Sequence, residues 1–169
     1  MKNEKTIKLV QTALFTALVF VGTFVIKIPI IATGGYIHPG DAFVILSGIF
    51  LGPGYGAFAA GAGSALADLV GGYMVYLPVT FIVKALIGLI SGLIFHVWGK
   101  ALAKHYIKTI LCGVADIVLV TAGYLIYEIF LYGPAALAAV PANLIQGVSG
   151  LVIALVLYPA FSKIRELTA

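Results

Sequence analysis

The chain has 169 residues, 62% of them hydrophobic and 9% charged, with a mean hydropathy of +1.15 and a net charge of +4. A soluble core of that size cannot hide so much apolar surface, which excludes an ordinary water-soluble domain and makes a bilayer the solvent. Length then allows one compact domain over residues 1–169, of about six spans at roughly 20 residues each. The positive charge belongs to span ends and does not imply a nucleic-acid partner.

The opening run MKNEKTIKLVQTALFTALVFVGTFVIKIP has a basic leader and a long apolar stretch without a small-residue cleavage site. It reads as a first span at 7–27 rather than a removed signal peptide. Further spans are expected at 41–52, 56–72, 79–99, 109–132 and 141–162, all helical. Gly, Pro or Lys marks each break: Pro29 and Pro39, Gly52-Pro53-Gly54, Gly71-Gly72, Lys100 to Lys108, and Gly133-Pro134. The second segment is short. As a helix it rises roughly 18 Å, against a hydrocarbon core of about 30 Å, so residues 41–72 form either two spans or a re-entrant pair.

Lys2, Lys5, Lys8, Lys100, Lys104, Lys108, Lys163 and Arg165 fall on one side of this arrangement, and Lys27 and Lys84 lie toward the other. Basic residues are retained on the cytoplasmic side, so both termini are expected there, with Trp98 and Tyr158 at the inner interface. Gly48/Gly52/Gly56, Gly88/Gly92 and Ala13/Ala17 repeat at four-residue spacing, the pattern that lets helix backbones approach closely.

Polar groups within spans are costly and therefore functional candidates. Asp41 opens the second span and Asp68 closes the third, both at the outer end. Thr80 and Lys84 share a face of the fourth span, as Tyr124 and Glu128 do in the fifth, and Asn143 and Gln146 begin the sixth. All lie at one outer depth, where Tyr36, Tyr73 and Tyr76 also gather; Asp116, in the inner half of the fifth span, is the exception. A structural ion pair of Lys84 with Asp68 or Glu128 is the plainer account of any single member. The set together reads as an outward cavity for a small polar ring.

Other chemistry finds little support. Gly147-Val148-Ser149-Gly150 matches the GxSG of rhomboid proteases, but no His follows Ser149. His38, His96 and His105 are dispersed with no pair at metal-ligand spacing, so no metal or other cofactor is expected. Cys112, the single cysteine, can form no internal disulfide. No GxxxxGK[ST] run is present to bind ATP.

The stretch YIHPGDAFVILSGIFLGPGYGAFAAGAGSALADLVGGYMVYLPVTFIVKALIGLISGL, with its PGD, LGPxxGA, GSALADL and IVKALIG elements, closely resembles the S components of energy-coupling factor (ECF) vitamin transporters. The resemblance covers essentially the whole chain. It is strongest to the branch that includes riboflavin, pyridoxine and hydroxymethylpyrimidine proteins. It implies an all-α, six-helix membrane bundle with a short second helix, holding a vitamin near the outer face beneath the loop after helix one. It also implies that ALFTA, with Ala13 and Ala17, packs on a transmembrane coupling subunit. Two cytoplasmic ATPases sit beneath that subunit, and the S component topples to carry its site inward. On this reading His38-Pro39-Gly40 ends a lid, with Tyr36 and His38 its ligand-facing rings, and Asp41 caps the short helix. The expected function is non-enzymatic capture of a small vitamin, pyridoxine or hydroxymethylpyrimidine ahead of riboflavin and pantothenate. The alternative is a stand-alone channel or proton-coupled carrier using Asp116 and Glu128.

Overall fold

A computed structural model describes residues 4–98 and 104–168, with side chains as far as Ile164. Lys2, Lys100 and the Arg165 side chain, used above for orientation, lie outside the described residues. Helix α1 (Glu4–Phe24) buries a narrow stripe, Thr12, Phe15, Val19 and Thr23, and leaves Leu9, Val10, Leu14 and Val21 exposed. An apolar face of that kind is stable only against lipid or another membrane protein.

The connection after α1 is not helical. Ile28–Ile30 (β1) and Gly35–Ile37 (β2) form an antiparallel hairpin with Pro29 opposite Tyr36. Pro29 lacks the N–H that a helix would need, and the β-branched Ile28, Ile30 and Ile37 favour extended backbone. Gly34 supplies the left-handed turn at φ +68°. The hairpin lies in the connection between the first two expected spans, to which no strand was assigned. Ile30 and Ile37 pack against Ala139 and Ala142, which docks the hairpin across one end of the bundle.

Helix α2 (Asp41–Leu51) has 11 residues, and nine of them are buried. A helix apolar all round belongs in the middle of a structure. It contacts α1, α3 (Pro53–Gly71), α4 (Leu77–His96), α5 (His105–Tyr132) and α6 (Val140–Thr168). Its ends are held from outside: the Ile49 carbonyl accepts from His96 Nε2 at 2.7 Å. Gly52, at φ +84°, turns the chain directly into α3 with Pro53 in the first turn.

Between α5 and α6 the α-helical path breaks at Gly133, whose φ of +61° turns the chain. A 3₁₀ segment, Gly133–Ala139, bridges them, and the path from His105 to Ile164 runs for 60 residues. The chain folds back at that turn, so that α5 packs along α6. That path, Glu4–Phe24 and Leu77–His96 are each long and apolar enough to cross a bilayer.

The glycine repeats do what their spacing predicts. A Cβ on Gly48 would come within 2.8 Å of Ser91 Cβ and 2.9 Å of Gly92 N, and one on Gly88 within 2.6 Å of the Gly56 carbonyl oxygen. Helices α2, α3 and α4 thus meet backbone to backbone, where dispersion is strongest. At the far end of α2 from the hairpin, Phe50 packs with Phe15, Tyr158 and Phe161 at ring separations of 5.7–6.2 Å. Tyr158 also meets Phe95 and His105 and is buried in this aromatic cluster, while Trp98 is exposed. Gly48→Ala should lower unfolding stability in detergent by about 1–3 kcal/mol through overpacking. Gly54→Ala, where a Cβ meets nothing within 4 Å, should stay close to the parent in the same thermal melt.

Candidate functional site

Beneath the hairpin lies a small cavity of about 20 Å³ lined by Ile30, Gly35, Tyr36, His38, Asp68, Tyr76, Thr80, Tyr124, Glu128 and Asn143. Five parts of the chain meet there: the hairpin with its exit to α2, the end of α3, the start of α4, the last turns of α5, and the first turn of α6. Sequence reasoning singled out eight of these residues. It missed Ile30 and Gly35, because their approach depends on the hairpin.

The walls bond to one another across the cavity. The Tyr36 hydroxyl donates to Asp68 Oδ1 at 2.6 Å, and Thr80 Oγ1 lies 3.0 Å from the Tyr124 hydroxyl. The Tyr76 hydroxyl is 2.9 Å from the Thr33 carbonyl and 3.0 Å from Glu128 Oε1. One phenolic proton therefore serves two acceptors. Burial, then Asp68, pushes the Tyr36 phenol above its usual range, and burial does the same for Tyr76, so both stay protonated donors.

Three buried side-chain atoms of the lining have no hydrogen-bond partner among the described residues: Asp68 Oδ2, Glu128 Oε2 and Asn143 Nδ2. The Thr80 and Thr33 hydroxyls lie toward these two carboxyl groups without completing a bond to the free oxygens. Buried polar groups are ordinarily satisfied. Two acceptors and one donor left over around tyrosine rings match a ligand with donors at two positions and an acceptor at a third.

Asp41, Lys84 and Gln146 are brought together behind the lining. Lys84 Nζ donates to Asp41 Oδ1 in a fully buried ion pair. Gln146 Nε2 donates to Asp41 Oδ2 at 2.8 Å, and Gln146 Oε1 accepts the His38 backbone N–H at 3.2 Å. This corrects two readings. Gly40, not Asp41, occupies the N-cap, without a side-chain cap bond; and Lys84 pairs with Asp41 rather than with Asp68 or Glu128. The physical reason is the central position of α2: its first turn emerges inside the bundle, where a carboxylate needs a cation more than it needs its own helix N–H. Asp116 is not set apart as its depth implied. It is buried close to Asp41, with both on the Gly150 surface, and its carboxyl oxygens have no hydrogen-bond partner among the described residues.

Tyr73 stands just outside the lining, with its ring 4.4 Å from that of Tyr36. Ala13 and Ala17 are exposed and line shallow apolar grooves between α1 and α3, remote from the cavity. Thr33 acts through its backbone carbonyl, which carries no signal in the residue type. Among the described residues, no group of three or more His, Cys, Asp or Glu is placed to hold a metal.

The model of the ECF-type riboflavin transporter S component family matches residues 3–163. The chain belongs to that family. It is also 35% identical over 136 residues, 80% of this chain and 88% of the other, to a Pyrococcus woesei protein described as an uncharacterized protein in the gap 3′ region. A crystal structure of the S-component for biotin from an ECF-type ABC transporter matches with a TM-score of 0.70 at 20% identity, covering 98% of this chain and 94% of that one. At that identity the likeness is one of fold. The protein is thus an integral membrane S component, the part of a vitamin transporter that binds substrate and associates with an ECF module of membrane and ATPase subunits. The family is one of transport components, not of enzymes.

In this S component His38 reports how firmly the hairpin is seated. Its Nδ1 accepts the Gly40 N–H at 3.1 Å, and burial lowers its pKa to about 3, with Lys84 and Lys27 acting the same way and Asp41 opposing. The docked state therefore wants the neutral ring. Docking is fully favoured above about pH 6.5, the ordinary histidine value, and weakens as pH falls from there toward 3. At pH 5 the open fraction should be roughly 30-fold higher than at pH 8, from the proton an undocked imidazole takes up. Amide exchange over 31–38, normalised for intrinsic rates, should show that rise. The His38→Asn variant, whose amide can accept the same i+2 N–H, should flatten it.

Proposed function

We propose that the protein captures a small, neutral or cationic, hydroxyl- or amine-bearing vitamin ring at the outer face of the cell membrane. Pyridoxine or hydroxymethylpyrimidine is the favoured ligand. Delivery inward is ATP-driven, through a transmembrane coupling subunit and two ATPases. The observation that carries this reading is the convergence of Asp68 Oδ2, Glu128 Oε2 and Asn143 Nδ2, all unpartnered, on one aromatic cavity. Two carboxyl groups there discriminate against dianions such as folate. At about 20 Å³ the cavity is nearly filled by its own walls, so a ring enters only if the hairpin shifts to admit it.

The ligand's role in closing the site follows from the Tyr76 proton. A ligand donor bonded to Glu128 frees Tyr76 to commit to the Thr33 carbonyl, which tightens the hairpin over its cargo. The charge distribution supports a six-span topology with both termini cytoplasmic, and that places the hairpin outside. The exposed Ala13 and Ala17 then present a small-residue face of α1 to the coupling subunit. A proton-coupled carrier using Asp116 and Glu128 needs a polar route inward, and the aromatic cluster around Phe50 and Tyr158 argues against one.

Native mass spectrometry of the protein purified from cells should find pyridoxine or hydroxymethylpyrimidine bound. Titration with that compound should then show Glu128→Gln binding about 1–3 kcal/mol more weakly, the loss of a desolvated charge-assisted contact. Equal affinity in the folded variant would remove Glu128 from the site. Ala13→Leu combined with Ala17→Leu should leave binding intact but abolish ATP-dependent uptake by the reconstituted complex, because the added bulk blocks close helix approach. Normal uptake would take the docking face away from α1.

A further inference from the structure

Lys27 follows the end of α1 and is not part of the cavity lining. Its ammonium lies 4.4 Å from the Phe24 ring centroid, 4.8 Å from that of Tyr36 and 5.0 Å from that of Tyr73. These rings come from α1, the hairpin and the α3–α4 connection, three parts of the chain that share no backbone hydrogen-bond ladder. Room for the ammonium exists because residue 71 is glycine: a Cβ there would collide with Lys27 Nζ. Helix α3 ends at Gly71 and is capped by Gly72 at φ +82°, so the cation also sits at the negative end of a helix dipole. Tyr36 is the shared member. Its hydroxyl bonds Asp68 at 2.6 Å, its ring lies tilted against that of Tyr73 with centroids 4.4 Å apart, and one face receives Lys27.

We infer that Lys27 is a positioning residue that latches the hairpin over the cavity, holding Tyr36 between the ends of α1 and α3. The other hairpin ties, Thr33 to Tyr76 and His38 to Gln146, reach α4 and α6. Lys27 adds a side-chain tie to the end of α1 and reinforces the tie to α3 that Tyr36 makes through Asp68. A cation held by three ring faces resists hairpin opening because opening removes Tyr36 and returns the ammonium to a less complete shell. The inference does not depend on which vitamin is bound.

Hydrogen–deuterium exchange of the ligand-free protein in lipid nanodiscs tests it. Lys27→Met should speed exchange over 31–38 by about 3- to 30-fold, the range expected from cation–π contacts, while 41–51 is unchanged. Lys27→Arg, which keeps the cation, should return the hairpin to within about twofold of the parent. Tyr73→Leu should behave like Lys27→Met, and Tyr73→Phe like the parent. An unchanged hairpin rate in Lys27→Met, or a Lys27→Arg variant that opens as readily as Lys27→Met, overturns the latch. If Lys27→Met does not fold, the Tyr73 pair decides: equal hairpin rates in Tyr73→Leu and Tyr73→Phe overturn it as well.

Discussion

The Asp41–Lys84 ion pair is the constraint on which the rest of the structure depends. Two charges taken wholly out of water are tolerated only when each is matched, and removing one partner of such a pair typically costs about 3–5 kcal/mol. Satisfying that requirement fixes α2 against α4. The second Asp41 oxygen takes Gln146 from α6, and Gln146 in turn holds the His38 backbone at the base of the hairpin. One carboxylate thus ties the central helix, two of its neighbours and the cover of the cavity into a single network.

Close packing makes that network possible. Helix α2 can sit in the middle of the bundle only because Gly48, Gly56, Gly88 and Gly92 let three backbones approach without intervening side chains. A short helix in the centre leaves space beyond its N-terminus, and that space is the cavity. Beyond its C-terminus the volume is taken by Phe15, Phe50, Tyr158 and Phe161. The same placement therefore produces a polar pocket at one end and an aromatic plug at the other. That asymmetry suits a component that captures its ligand on one side and leaves the crossing to a larger assembly.

Within the cavity, most polar groups already bond each other. On the proposed reading, a ligand meets three unpartnered atoms and must also exchange bonds such as Tyr36–Asp68, so part of its affinity rests on the difference between similar hydrogen bonds. Discrimination is then strict: a ring that cannot replace the bonds it breaks leaves buried groups unpaired. The hairpin is the natural place for this exchange, because Tyr36 and Thr33 are bound to cavity walls on α3 and, through Tyr76, on the approach to α4.

By itself the sequence determined the solvent, the approximate places of the helices and the polar residues that carry a cost within them. Apolar content of 62% leaves no other medium, Gly and Pro break the helices where the backbone requires it, and a polar residue in an apolar span announces its cost. Asp68, Tyr76, Thr80, Tyr124, Glu128 and Asn143 were legible for that reason, as was a short second helix, read at 41–52 and found at Asp41–Leu51. The pairing of these groups was not, because partner choice depends on how helices rotate and cross, and sequence spacing carries no distance between them. The sequence offered Lys84 either Asp68 or Glu128, and only the central seat of α2 selected Asp41. The hairpin was hidden as well: two three-residue strands gain their stability from docking on the bundle, through Ile30 and Ile37 on Ala139 and Ala142, and not from any local pattern. Lys27 read as one more basic residue at a span end; three rings gathered around it only when the chain folded.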